Sequence, residues 1–232
     1  MLFGLSIDQL IAVSSSVAAA ISALATLFTV LQVSENRKSS YRPEIIFTRT
    51  KFDLTREVGT DPHNIAARER ISVDAYNIGL GSAKNIEISW SFSIISALEK
   101  INSLTALGAE LNKYTFEHGM ISSEGEHAPA SVSLWKNQKI HKIDFALPAS
   151  VNNQPLSIAI PHAYITLWEP YVIGAVRIGK AELLDDFPLL ACVITYQDVG
   201  GVKYKVKREF LFDIVSIISD KGIEGSVLTK VR

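Results

Sequence analysis

The sequence predicts a mainly β protein in which an N-terminal transmembrane helix precedes an antiparallel β-sandwich with one or two short helices. Three observations predict it. Residues 9–33 are 25 consecutive positions without a charged side chain. After Pro43 the apolar residues recur at every second position rather than every third or fourth. Near the C-terminus an apolar run, residues 189–197, meets an alternating run, residues 202–214, across the turn DVGG.

Composition narrows the class. The chain has 232 residues, enough for one or two domains. Hydrophobic residues make up 47%, charged residues 20%, and mean hydropathy is +0.19, which excludes a disordered chain. There are 23 basic and 24 acidic residues, so bulk charge does not favour a nucleic-acid binder. The single cysteine, Cys192, closes no intrachain disulfide and builds no multi-cysteine zinc site.

The uncharged run contains neither proline nor glycine and is rich in alanine and leucine. At about 1.5 Å per residue it crosses a hydrocarbon core of roughly 30 Å with some tilt. In lipid a helix satisfies its own backbone groups, so a lone span must be helical. Two other readings compete. A cleaved signal peptide needs a basic n-region, whereas Asp8 is the one charge before the run. A buried core helix is usually shorter and carries a polar stripe. Lysine and arginine are retained on the cytoplasmic side; residues 1–33 have none, and Arg37, Lys38 and Arg42 follow the span. The expected organisation is a short extracytoplasmic tail at 1–8, a transmembrane helix at 9–33, a charged linker at 34–42 and a cytoplasmic β-sandwich at 43–232. Within the span, Ser14, Ala18, Ser22 and Thr26 recur every four positions, and Ser15, Ala19 and Ala23 form a parallel row. Small residues at that spacing let two helices approach, which points to self-association; the plainer reading is that a single anchor tolerates them.

Beyond the linker, residues 44–48 and 70–77 read as strands, separated by an exposed, charged loop at 56–69. Residues 85–93 are the clearest strand, with Ile86, Ile88, Trp90 and Phe92 alternating with polar residues. The preceding turn NIGLGSAKN carries Gly79 and Gly81 for backbone angles that other residues resist. A short helix is expected near residues 94–107, where Leu98, Ile101 and Leu104 recur at three. Residues 113–117, 131–135, 141–147 and 156–160 are further strand candidates. Pro161 suits the first turn of a helix over 162–176, which Pro170 must interrupt or end. Residues 189–197 are apolar on both faces, as in a central strand. On the return strand Val202, Tyr204, Val206, Phe210, Phe212 and Ile214 share one face, and Lys203, Lys205, Lys207 and Glu209 the other. About eight strands and at most two short helices indicate the antiparallel sandwich. A second membrane span at 156–176 is disfavoured, because Pro155, Pro161 and Pro170 break it and His162 and Glu169 are costly in lipid.

Chemistry is sparse. No phosphate-binding glycine motif, G-x-S-x-G elbow or H-E-x-x-H pair occurs. Glu117, His118, Glu124, Glu126 and His127 gather potential metal ligands, but their spacing fits no rigid template, and two flanking glycines suggest a mobile surface turn. Lys203, Lys205 and Lys207, with Arg37, Lys38 and Arg42, are candidates for contact with anionic headgroups or a partner. The alternative for the three strand lysines is an edge strand guarded against pairing. Trp90 and Phe92 read as core, whereas Trp135 and Trp168 are candidate surface anchors. No catalytic residue, cofactor or metal site, or small-molecule substrate is expected.

Three stretches together carry a resemblance: the uncharged helix running into ENRKSSYRPEI, then VDAYNIGLGSAKNIEISW, then ITYQDVGGVKYKV. This layout resembles small bacterial membrane proteins with an N-terminal anchor and an immunoglobulin-like cytoplasmic domain. Among these are the transmembrane effectors of antiphage defence systems, including those encoded beside a retron reverse transcriptase. The N-x-G-x-G-x-A-x-N turn and the Y-x-D-x-x-G hairpin are structural motifs of immunoglobulin-like domains and carry no catalytic residue. The resemblance covers most of the chain by architecture more than by particular residues. It implies an immunoglobulin-like sandwich, a place in the bacterial inner membrane and a reverse transcriptase–RNA complex as partner. It also implies a role in abortive infection, in which the protein stays silent until a phage disturbs the host and then compromises the membrane. The alternative is a non-catalytic anchored scaffold that recruits a cytoplasmic partner.

Overall fold

The computed structural model describes residues 6–54, 71–124, 131–218 and 222–231; the expected loop at 56–69 lies outside them. The first compact unit ends at Arg42 and the second begins at Pro43. The first is the helix α1, Ile7–Ser40. A reciprocal cap starts it: Ser6 Oγ accepts from Gln9 N–H (3.3 Å), and Gln9 Oε1 accepts from Ser6 N–H (3.0 Å). The stretch expected as a linker is helical as far as Ser40. Glu, Arg and Lys are good helix formers there, and nothing breaks the helix before Pro43, which disfavours helical angles in the preceding residue.

The second unit runs β1 (Ile45–Phe47), β2 (Thr50–Asp53), β3 (Ser72–Asn77), β4 (Ala83–Ser91), α2 (Ile94–Ala106), β5 (Lys113–Glu117), β6 (Met120–Glu124), β7 (Ser131–Leu134), α3 (Trp135–Gln138), β8 (Ile140–Ala146), β9 (Leu156–Ala159), α4 (His162–Arg177), a 3-10 turn (Ala181–Asp186), β10 (Leu190–Gln197), β11 (Lys203–Ile218) and β12 (Gly222–Val231). All described strand pairs are antiparallel. The central sheet has the order β2-β12-β11-β10-β4-β8, with β10 in its interior as its two-sided apolarity required. Two smaller sheets have the orders β1-β3-β9 and β5-β6-β7.

The fold is therefore mainly β with antiparallel sheets, but it has twelve described strands rather than about eight, and helices form part of the core. On the inner face of the central sheet, Phe210 meets Phe47 of β1 (ring centroids 5.1 Å) and Trp90 (5.2 Å). Its neighbour Phe212 meets Trp168 (4.8 Å) and Tyr164 (5.4 Å) of α4. The layer opposite the central sheet is thus a small sheet beside a helix. Ten residues of α4 are buried, and the helix passes through Pro170 unbroken. A mid-helix proline costs about 3 kcal/mol, less than burial of several large side chains returns. Trp135 and Trp168 are core residues rather than surface anchors: Trp135 packs edge-on against Phe92, and Trp168 against Phe52.

One buried side chain ties the pieces together. Asn77, 2% exposed, ends β3. Its Nδ2 donates to Gly81 O (2.7 Å) and Ala146 O (3.2 Å); its Oδ1 accepts from the N–H of Glu44 (3.0 Å) and Gly79 (3.2 Å). The amide therefore links the start of the domain, the turn after β3 and the end of β8. This bonding shapes the NIGLGSAKN turn: neither Gly79 nor Gly81 has a positive φ, whereas Asn85 does (φ 49°). Asn77→Ala strands several of these backbone groups and should lower unfolding free energy by about 2–4 kcal/mol. Denaturant titration of the full chain in detergent measures the loss.

Candidate functional site

The feature that needs explaining is α1. It is the one helix among the described residues long and apolar enough to cross a membrane, over Ile7–Arg37, and none of that window is buried in the protein. Twelve large apolar side chains are exposed on it, Ile21 by 62% and Phe28 by 69%. Residues 9–33 extend about 37 Å as a helix, matched to a hydrocarbon core of roughly 30 Å with tilt. By contrast, the rejected second span is strand β9 followed by α4, whose apolar side chains pack inside the domain.

Five hydroxyls of α1 bond to the helix's own backbone. Ser14 donates to Ile11 O (3.0 Å), Ser15 and Ser16 to Ala12 O (3.0 and 2.8 Å), Thr26 to Ser22 O (2.9 Å) and Thr29 to Ala25 O (2.8 Å). Each such bond removes an unpaired polar group without a partner helix. In the row Ser14, Ala18, Ser22, Thr26, the Ser22 hydroxyl makes no such bond among those described. Asp8 occupies the first turn, and the exposed Arg37 lies in the C-terminal part. Lys38 falls in the same helical stretch, and Arg42 closes this unit.

The strand lysines sit elsewhere. Lys203, Lys205 and Lys207 are exposed on the outer face of β11, opposite Tyr204 and Val206, which pack toward the core. On one side this segment pairs with β10; β12 joins the other side only from Arg208 onward. Among the described residues the 203–207 segment thus has a strand partner on one side only, and its three lysines are exposed. Val202, expected on the core face, is exposed at the turn.

The described members of the histidine–carboxylate cluster are spread along a hairpin. β5 and β6, residues 113–124, form a hairpin whose turn, His118–Gly119, has φ of 51° and 78°. Glu117 is next to that turn, and Glu124 pairs with Lys113 at the far end. Glu126 and His127 lie outside the described residues. Among the described residues no three His, Cys, Asp or Glu side chains assemble as a metal site. An open groove of about 620 Å³ is lined by Arg49, Lys51, Asp53 and Glu224, among others. Its Arg49 is held by Asp213 (2.9 Å) and Ser226 (2.9 Å). No sequence motif marks that groove, because its residues converge from β2, the start of β3, β11 and β12. No protein-family model, curated protein or solved structure matches the chain.

Cys192 is buried in β10. Burial pushes its thiol up to about 12, against a smaller lowering pull from Arg208. The folded state therefore holds the proton more tightly than the unfolded chain. The stabilisation is complete below the ordinary thiol pKa of about 8.5 and is lost as pH rises toward the folded value. Iodoacetamide at pH 8 should leave Cys192 unmodified in the folded chain and alkylate it rapidly in guanidinium, as intact mass will show.

Proposed function

We propose that this protein is a single-pass membrane protein of the bacterial inner membrane, with its N-terminus outside and its β-rich domain in the cytoplasm, and that it acts without catalysis. The observation that carries this reading is α1: an apolar helix with none of its spanning window buried. The basic residues Arg37, Lys38 and Arg42 after the span support the orientation. Packing of β1 against the central sheet through Phe47 and Phe210 supports an immunoglobulin-like reading of that half of the domain.

Within this frame the protein is an antiviral effector of the retron type. Its cytoplasmic domain senses or docks a partner, a reverse transcriptase–RNA complex of the same system. Its helix associates through Ser14, Ala18, Ser22 and Thr26 and disturbs the bilayer, causing abortive infection. The Ser22 hydroxyl, which makes no intrahelical bond among those described, supports that row as the face of a helix pair. A second reading, an anchored scaffold, draws on the remaining hydroxyls, which are satisfied inside one helix and demand no partner.

The two readings differ in whether the helix sequence matters. In the effector reading, Ala18→Leu with Ser22→Leu abolishes depolarisation and growth arrest on activation while the chain stays in the membrane fraction. Exchange of residues 9–33 for an unrelated span has the same effect. Retained toxicity in both variants overturns self-association through this row and leaves the scaffold.

A further inference from the structure

Three loops meet at the end of the domain where the chain enters from α1. Glu44 is held there by Asn77 Oδ1, and Glu44 O accepts from Ile78 N–H (2.8 Å). The turn after β3 therefore lies at the entry point. Ala149 N–H donates to Asn77 O (2.7 Å), which brings in the loop after β8. Tyr196 Oη donates to Pro43 O (3.3 Å) at the end of β10, which brings in the β10–β11 turn.

Each of these loops shows two exposed aliphatic side chains: Ile78 and Leu80, Leu147 and Val151, Val199 and Val202. Leu80, Val151 and Val199 are 61%, 72% and 65% exposed, although a polar residue at a turn tip costs the fold nothing. Lysines stand beside them: Lys84 is the second residue of β4 and pairs in register with Gln197, and Lys203 begins β11. Two acidic side chains share this end. Glu44 is exposed, and the Asp198 carboxylate, which keeps its negative charge, is held against the turn by Val202 N–H (2.9 Å) and Tyr204 Oη (3.1 Å), so the acids are fixed at the turn and the entry while Arg42, Lys84 and Lys203 are the basic side chains of this end.

The chain sets how far this end can be from lipid. From Val33 to Ser40 a helix advances about 10 Å, and the three residues to Pro43 add about 10 Å at most. The headgroup layer of one leaflet is itself roughly 5–8 Å thick. We infer that this end of the domain docks on the bilayer surface, with the paired aliphatics of the three loops entering the interface and Lys84 and Lys203 meeting anionic headgroups. This rests on the reading of α1 as a membrane span.

The test places one fluorophore at a time on the full chain, through Leu80→Cys, Val151→Cys or Val199→Cys, with buried Cys192 as a silent background. Val215→Cys, exposed and twelve residues along β11 from Lys203, is the control, and Ile21→Cys reports on α1. The chain is reconstituted in phosphatidylcholine vesicles with and without phosphatidylglycerol. Nitroxide lipids labelled near the headgroup or deep in the acyl chain serve as quenchers. The expected result is quenching of the three loop sites by the shallow label, stronger with phosphatidylglycerol, quenching of Ile21 by the deep label, and none at Val215. If the loop sites behave like Val215 while Ile21 is quenched, docking fails, the anchor stands and the aliphatics belong to a protein partner. If the loops are quenched and Ile21 is not, docking stands and the span is wrong. If none is quenched, both fall.

Discussion

A helix whose apolar side chains pack against none of the described residues sets the terms for everything else in this molecule. In water, twelve exposed aliphatic and aromatic side chains on one helix would be a severe aggregation liability. In lipid the same surface costs nothing, and the backbone groups and five of the hydroxyls are already bonded within the helix. A bilayer is a solvent that suits this surface.

That second unit is built to hold its near end in a defined shape. Asn77 spends all four of its side-chain hydrogen bonds there, on residues far apart in the chain. Tyr196 adds a bond to Pro43, and its ring stacks on Tyr204 at 5.3 Å. Polar groups buried at a domain terminus fix geometry more than they add stability. The result is a firm platform where the chain arrives from the helix, with core aromatics behind it and three loop tips in front.

Much of this was legible in the sequence because local pattern and tertiary role agree. The uncharged run, the alternation around Ile86, Ile88 and Trp90, and the apolar β10 each state their environment in their own residues. Helix α2 announced itself through Ile101 and Leu104, and Ser93 caps it by accepting from Ser96 N–H. The misreadings have physical causes. Pro170 breaks a helix by local rules, but burial of Tyr164, Leu167, Trp168 and Tyr171 overrides them. β12, for which no strand was expected, carries Gly225. In the sheet a Cβ at that position would lie 2.5 Å from Asp213 O and 2.8 Å from the Phe52 ring. Strand β6 was hidden by its neighbours: His118 and Gly119 supply the two positive-φ angles of a tight hairpin, yet read as part of a loop. Asn77 could not be found as a hub, because each of its partners is defined only by the fold.

The account depends on α1 remaining attached to the domain and residing in lipid. Alkaline carbonate extraction of membranes from cells producing the full chain, followed by intact mass of what stays in the pellet, tests this most directly. The account predicts the uncut 25.5 kDa chain in the pellet. Release of that chain into the supernatant, or a mature species that starts near position 30, would contradict it.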